Sequence, residues 1–139
     1  MNRRPLVVAF AALLAFAGAS FFSAEAAPKK KKRKIAGTWK LRGWNMGKDP
    51  KKKEDYTGEV KVSAKGKNTF AISWVIGGKT VNKGVGIYHP DVDAFAAGYS
   101  IGGSAGCAIW TFSEDGKTMS CTGTFEKKLG NVAHEEWSK

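Results

Sequence analysis

From residue 56 onward, apolar and polar side chains alternate in short runs. Phe70, Ile72, Trp74 and Ile76 fall on one face of an extended segment, with Ala71, Ser73 and Val75 on the other. Alternation of this kind marks a strand with one buried face. Turn residues separate the runs: Lys65-Gly66-Lys67-Asn68, Gly77-Gly78, His89-Pro90-Asp91, Gly102-Gly103-Ser104 and Ser113-Glu114-Asp115-Gly116. Gly-Gly and Asp-Gly pairs suit tight hairpin turns, and Pro90 biases His89 towards extended backbone. The pattern predicts strands over 56–64, 69–76, 79–88, 92–100, 105–112 and 117–125. A strand over 37–44 precedes them, with Trp39, Leu41 and Gly43 on one face, and one over 132–137 follows.

Eight short strands with hairpin-sized connections predict an all-β fold: an eight-stranded antiparallel up-and-down meander barrel in which the first strand pairs with the last. Closure removes the edges that an open sheet leaves exposed. A twisted sandwich, or a partly open barrel of six or seven strands, is the competing arrangement. Small residues crowd the strands at Gly84, Gly86, Ala94, Ala96 and Gly98. In a barrel they leave room for a ligand, let walls approach, or mark local bends, and the pattern alone does not separate these causes.

The N-terminal residues read as a targeting segment. Arg3 and Arg4 precede an uncharged apolar run, and Ala24-Glu25-Ala26 places small residues at both recognition positions of a cleavage site. These are the parts of a secretory signal peptide over 1–26. A retained anchor competes, since the uncharged run reaches spanning length, but Ser20, Ser23 and many alanines weaken it. A basic arm over 27–34, expected to be disordered, and a β-barrel domain over 35–139 follow. Removing Arg3, Arg4 and Glu25 takes 23 basic and 12 acidic residues to 21 and 11, a net charge of about +10. Such a chain is drawn to anionic surfaces.

Much of that charge lies in Lys29, Lys30, Lys31, Lys32, Arg33 and Lys34, with a second run at Lys51, Lys52 and Lys53. Six adjacent charges cannot be buried without partners, so the arm is expected to be solvated. It is either a tether to an anionic envelope surface or polysaccharide, or a soluble spacer. Nucleic acid is not the favoured partner, because the basic residues are not interleaved along strand faces with the aromatics. An outer-membrane barrel is disfavoured by Lys61, Asp93 and Glu135 within short strands.

Gly37-Thr38-Trp39 at the first strand resembles the Gly-X-Trp opening of lipocalins and their avidin-like and fatty-acid-binding relatives. The meander and the secretory signal are similar too. The resemblance implies a calycin-type barrel with Trp39 packed across its base, and an internal cavity. In lipocalins an arginine from a late strand covers that tryptophan; the late region here offers Lys127 and Lys128 instead.

Cys107 and Cys121, the two cysteines, stand almost symmetrically about the Glu114-Asp115 turn. In an exported hairpin they are expected to face each other and form a disulfide. His89 and His134 lie far apart in sequence, so no metal site is expected, and no cofactor motif is present. A small-barrel enzyme using His89 or His134 remains an alternative without a nucleophile motif to support it. The aromatics are more informative. Trp44, Tyr56, Trp74, Tyr88, Tyr99 and Trp110 are the candidate ligand contacts near a barrel mouth. On the sixth strand, inward Cys107 implies outward Trp110, and the reverse. The reading is an exported, periplasmic or secreted, non-catalytic barrel that binds a small apolar or amphipathic ligand. The alternative is a structural or protein-interaction barrel with a filled interior.

Overall fold

Eight antiparallel strands follow one another in the order of the chain: β1 (Gly37–Trp44), β2 (Tyr56–Ala64), β3 (Thr69–Ile76), β4 (Lys79–His89), β5 (Ala94–Ile101), β6 (Ser104–Phe112), β7 (Thr118–Phe125) and β8 (Ala133–Ser138). The computed structural model describes residues 32–139. The expected signal peptide and the arm residues Lys29, Lys30 and Lys31 lie outside the described residues. Each strand pairs with its neighbours, and β8 returns to β1 to close the barrel, with Leu41 opposite Trp137 and Gly43 opposite Glu135. The predicted meander barrel is therefore the fold.

Strand ends shift by a residue or two where turn geometry intervenes. Strand β5 starts at Ala94 rather than 92 because Asp93 turns the chain at φ 49°, and β4 extends to His89. A register shift between Trp74 and Val75 bends β3 against β4, as a bulge does. A short 3-10 turn (Glu126–Lys128) fills the last loop.

The inward set is apolar. Trp39, Phe95, Trp110, Met119 and Trp137 are fully buried, with Leu41, Val60 and Ile72 beside them. Charged strand residues such as Lys40, Glu59 and Lys61 are exposed. The outer face also exposes apolar side chains, Val85, Ile87 and Ile109 among them, but interleaved with these charges rather than as the continuous apolar band of a membrane barrel. Among the described residues no helix is long and apolar enough to cross a membrane.

One end of the barrel is closed by the segment that enters β1. Ile35 is buried there, and its carbonyl accepts a 2.8 Å hydrogen bond from Trp39 Nε1. Arg33 departs from the expected solvated run. Its side chain is 7% exposed, its Nε and Nη2 donate to the two carboxylate oxygens of Asp93 at 2.8 and 2.5 Å, and its Nη1 reaches the Glu114 carbonyl at 3.2 Å. The guanidinium also lies 5.0 Å from the centroid of the Phe112 ring. The fork geometry of arginine matches a carboxylate in a way that lysine does not, which explains why Arg33 docks while its neighbours Lys32 and Lys34 stay exposed. Because β1 starts at the closed end and finishes at the other, Arg33 and the exposed Lys51, Lys52 and Lys53 sit at opposite ends of the barrel.

The expected Cys107–Cys121 disulfide is corrected. Both thiols are free. The β6–β7 register sets Cys107 opposite Thr124 and Cys121 opposite Trp110, so the two are three rungs out of step. They also occupy opposite faces: Cys107 is exposed outside and Cys121 buried inside. The choice left open on the sixth strand is thereby made, with Ala108 and Trp110 inward.

Candidate functional site

At the end opposite Arg33 the barrel is hollow. A cavity of about 530 Å³ opens between the loops there. Trp74, Tyr99 and Trp110 form its wall, Ile76, Ile101 and Phe125 approach the mouth, and Lys128 stands beside them. Tyr56 and Glu135 bring the main polar groups.

Glu135 accepts three hydrogen bonds from three different strands. Tyr56 Oη donates to Oε1 at 3.0 Å; Trp74 Nε1 and Trp137 Nε1 donate to Oε2 at 3.1 and 2.8 Å. Neither indole N–H can accept, so this arrangement holds the carboxyl group in one orientation. Burial pushes the Glu135 carboxyl above its usual range, and the donors from Trp74, Trp137 and Tyr56 pull it partway back. Burial likewise raises Tyr56, with the Glu135 charge adding to it, so Tyr56 stays a phenol and donor at neutral pH. Among the described residues no lysine, arginine or histidine is ion-paired with Glu135.

Local sequence explains how Tyr56 reaches that carboxylate. Gly43 pairs with Tyr56 on one side and with Glu135 on the other. A Cβ at Gly43 would lie 2.0 Å from Tyr56 Cζ. The tyrosine ring therefore lies across the bare backbone of β1 and delivers its hydroxyl to the strand beyond. The same device recurs on the far wall. Tyr99 lies over Gly106, where a Cβ would meet Cε2 at 2.4 Å, and its Oη donates to the Thr124 carbonyl at 3.1 Å. Burial pushes the Tyr99 phenol up to about 12.

The indoles pack as one cluster. Trp110 and Trp137 have ring centroids 4.6 Å apart, Trp74 is 5.8 Å from Trp137, and Tyr99 is 5.7 Å from Trp74. Trp110 is fully buried, yet its Nε1 has no hydrogen-bond partner among the described residues. A buried donor without an acceptor carries its whole desolvation cost.

Of the six candidate ligand contacts, Tyr56, Trp74, Tyr99 and Trp110 come together around this cavity. Two lie elsewhere and are corrected as mouth residues. Trp44 sits on the outer face, where its Nε1 donates to the Lys52 carbonyl at 2.8 Å and the 45–55 loop covers it. Tyr88 belongs to the closed end and donates to Asp93 Oδ1 at 2.9 Å. Sequence reasoning missed Glu135, counting it only among the charges that disfavour an outer-membrane barrel. The signal was present in β8: alternation puts Ala133, Glu135 and Trp137 on one face, and an inward Trp137 forces Glu135 inward.

His89 is exposed at the end of β4. His134 borders a shallow outer recess with Thr122 and Glu136, and its Nδ1 lies 3.4 Å from Thr122 Oγ1. Among the described residues, no group of three or more His, Cys, Asp or Glu side chains is placed to hold a metal ion.

The fold defines the class: a closed, eight-stranded, antiparallel up-and-down barrel. No family model matches the chain, and no curated protein matches it significantly. Among solved structures it is similar to a crystal structure of a mutant of the fluorescent protein UnaG, at 12% identity and a TM-score of 0.48, over 76% of this chain and 95% of that one.

Proposed function

We propose that this protein is a non-catalytic carrier or sensor that binds one small apolar or amphipathic ligand in the barrel cavity. The supporting observation is the hollow itself: about 530 Å³, a size typical of small-molecule sites, walled by aromatic rings with a few convergent polar groups. A barrel serving only as a structural block has no use for a chamber of this size, so the filled-interior alternative is the weaker reading. In this reading the ligand enters at the mouth and touches Tyr56, Trp74 and Tyr99, with Trp110 packed behind them.

The same proposal places the protein outside the cytoplasm, on the strength of the signal-like residues 1–26. The exposed Lys32, Lys34, Lys51, Lys52 and Lys53 would draw it to anionic envelope surface. Arg33 takes no part in that attraction, because it is committed to Asp93.

Native mass spectrometry of protein recovered from its own compartment tests the ligand. A retained small molecule, released by organic solvent, is the expected result. Protein that carries no mass and shows no saturable change in tryptophan emission with apolar probes overturns the reading.

A further inference from the structure

We infer that the occupant of the cavity carries a positive charge: an amphipathic ammonium whose head sits between the Glu135 carboxylate and the indole wall. The inference rests on the cavity being a ligand site, and goes beyond it by assigning the ligand's charge.

Two observations carry it. The first is the uncompensated carboxylate. Glu135 is held by three neutral donors, which fix its direction without cancelling its charge, and no cationic side chain of the described residues pairs with it. Buried charges are ordinarily paired. Here the space beside the group is open cavity, so the missing partner belongs to the occupant. Lys128, the one basic residue at the cavity wall, is exposed on the 3-10 turn at the mouth.

The second is the wall. Trp74, Tyr99 and Trp110 present ring faces or edges within one cluster. Tryptophan and tyrosine faces attract an ammonium, most strongly where water is excluded. Aromatic rings beside one carboxylate suit a cationic head on an apolar body. A fatty carboxylate brought to the same place would set like charge against like.

The burial that raises the Glu135 carboxyl acts in the same sense. It records that the carboxylate is costly when alone, and a cation alongside relieves that cost.

The test is a matched series on the intact protein: decyltrimethylammonium, decanol and decanoate, titrated by tryptophan fluorescence and calorimetry at low and high salt. The ammonium is expected to bind at least tenfold more tightly than the alcohol, and the carboxylate most weakly, with the order unchanged at high salt. Glu135→Gln should weaken the ammonium about tenfold and leave the alcohol within twofold. Equal binding of all three, or tightest binding of decanoate, overturns the charge assignment while leaving the cavity as a ligand site. Binding by none of them overturns both. The ranking on the unaltered protein decides the matter even where Glu135→Gln fails to fold.

Discussion

Lys139 covers Trp39: its Nζ stands 4.2 Å from the centroid of the indole ring, and the same ammonium donates to the Lys34 carbonyl. The residue just past β8 thus caps the tryptophan near the start of β1, and ties down the segment that closes the barrel. The late Lys127 and Lys128 do not take this part; they belong to the 3-10 turn beside the mouth. Lys139→Ala is expected to cost about 1 kcal/mol, the scale of a partly exposed cation over an indole, with Lys139→Arg largely restoring it. Trp39→Ala removes a fully buried ring and should cost about 3–5 kcal/mol. Urea unfolding curves check both.

Arg33 and Asp93 join segments sixty residues apart. Removing Arg33 takes from Asp93 its cation and two of its hydrogen bonds, while the Tyr88 hydroxyl still donates to Oδ1. The pair is not fully enclosed, since Asp93 is 33% exposed, so Arg33→Ala should cost about 2 kcal/mol, below the range for a deeply buried pair. Arg33→Lys should not rescue it, because the two-pronged contact is lost. A double-mutant cycle with Asp93→Asn should give a clear coupling energy. Additive losses would mean that the two contribute separately.

The buried Glu135 carboxyl makes stability depend on pH. Its folded value lies above the ordinary 4.5, so over the interval between them the folded chain holds a proton that the unfolded chain has released. Stability from this group is fully present below 4.5 and is lost as pH rises through the folded value. Glu135→Gln removes that dependence. The melting temperature of the unaltered protein relative to the variant should fall as pH rises from 4.5, whereas a flat difference would show that the carboxyl is not perturbed.

Gly43 is where Tyr56 crosses β1. Gly43→Ala drives a methyl group into the ring, at 2.0 Å from Cζ before relaxation. Tyr56 must swing away and release Glu135. The expected cost is about 1–3 kcal/mol, as for other overpacked positions, together with weaker ligand binding. Gly98 on β5 has its nearest neighbour, the Gly106 carbonyl oxygen, at 3.9 Å, so Gly98→Ala serves as the tolerated control at an exposed strand glycine.

The two cysteines should differ sharply in reactivity. Cys107 is exposed, while Cys121 is buried and its thiol is pushed up by burial and by the Glu135 charge. Since the thiolate is the reactive form, a thiol reagent should modify Cys107 in the native protein and reach Cys121 only on unfolding. Intact mass after labelling counts the groups added; two adducts on folded protein would contradict the assignment of faces.

Alternation with period two is a local property, and it made much of the barrel legible. Trp39, Leu41 and Gly43 on one face, and Phe70, Ile72 and Trp74 on another, follow from side-chain direction along a strand. Glycine turns marked the strand ends, and the number of strands required closure to protect their edges. The same local rule failed where it lacked an anchor. On β6 nothing nearby said whether Cys107 or Trp110 faced inward. On β8 the rule sets Glu135 on the face of Trp137, and nothing local says that this face, with its carboxylate, is the buried one.

Register and the end of the barrel at which a side chain arrives come from contacts between distant segments. The disulfide was expected from symmetry about a turn, and three rungs of register separate its cysteines. Trp44 and Tyr88 carry the same aromatic signal as Trp74, yet a loop covers one and the closed end holds the other. Chain pattern alone determined a meander of short strands, each with one apolar face, because burial of one strand face is written residue by residue; that eight of them close, β8 against β1, was decided by the tertiary structure. Only the tertiary structure decided that Arg33 seals one end and that Glu135, reached by Tyr56 across Gly43, stands beside a cavity at the other. Those relations depend on which strands lie side by side, and no single segment encodes that.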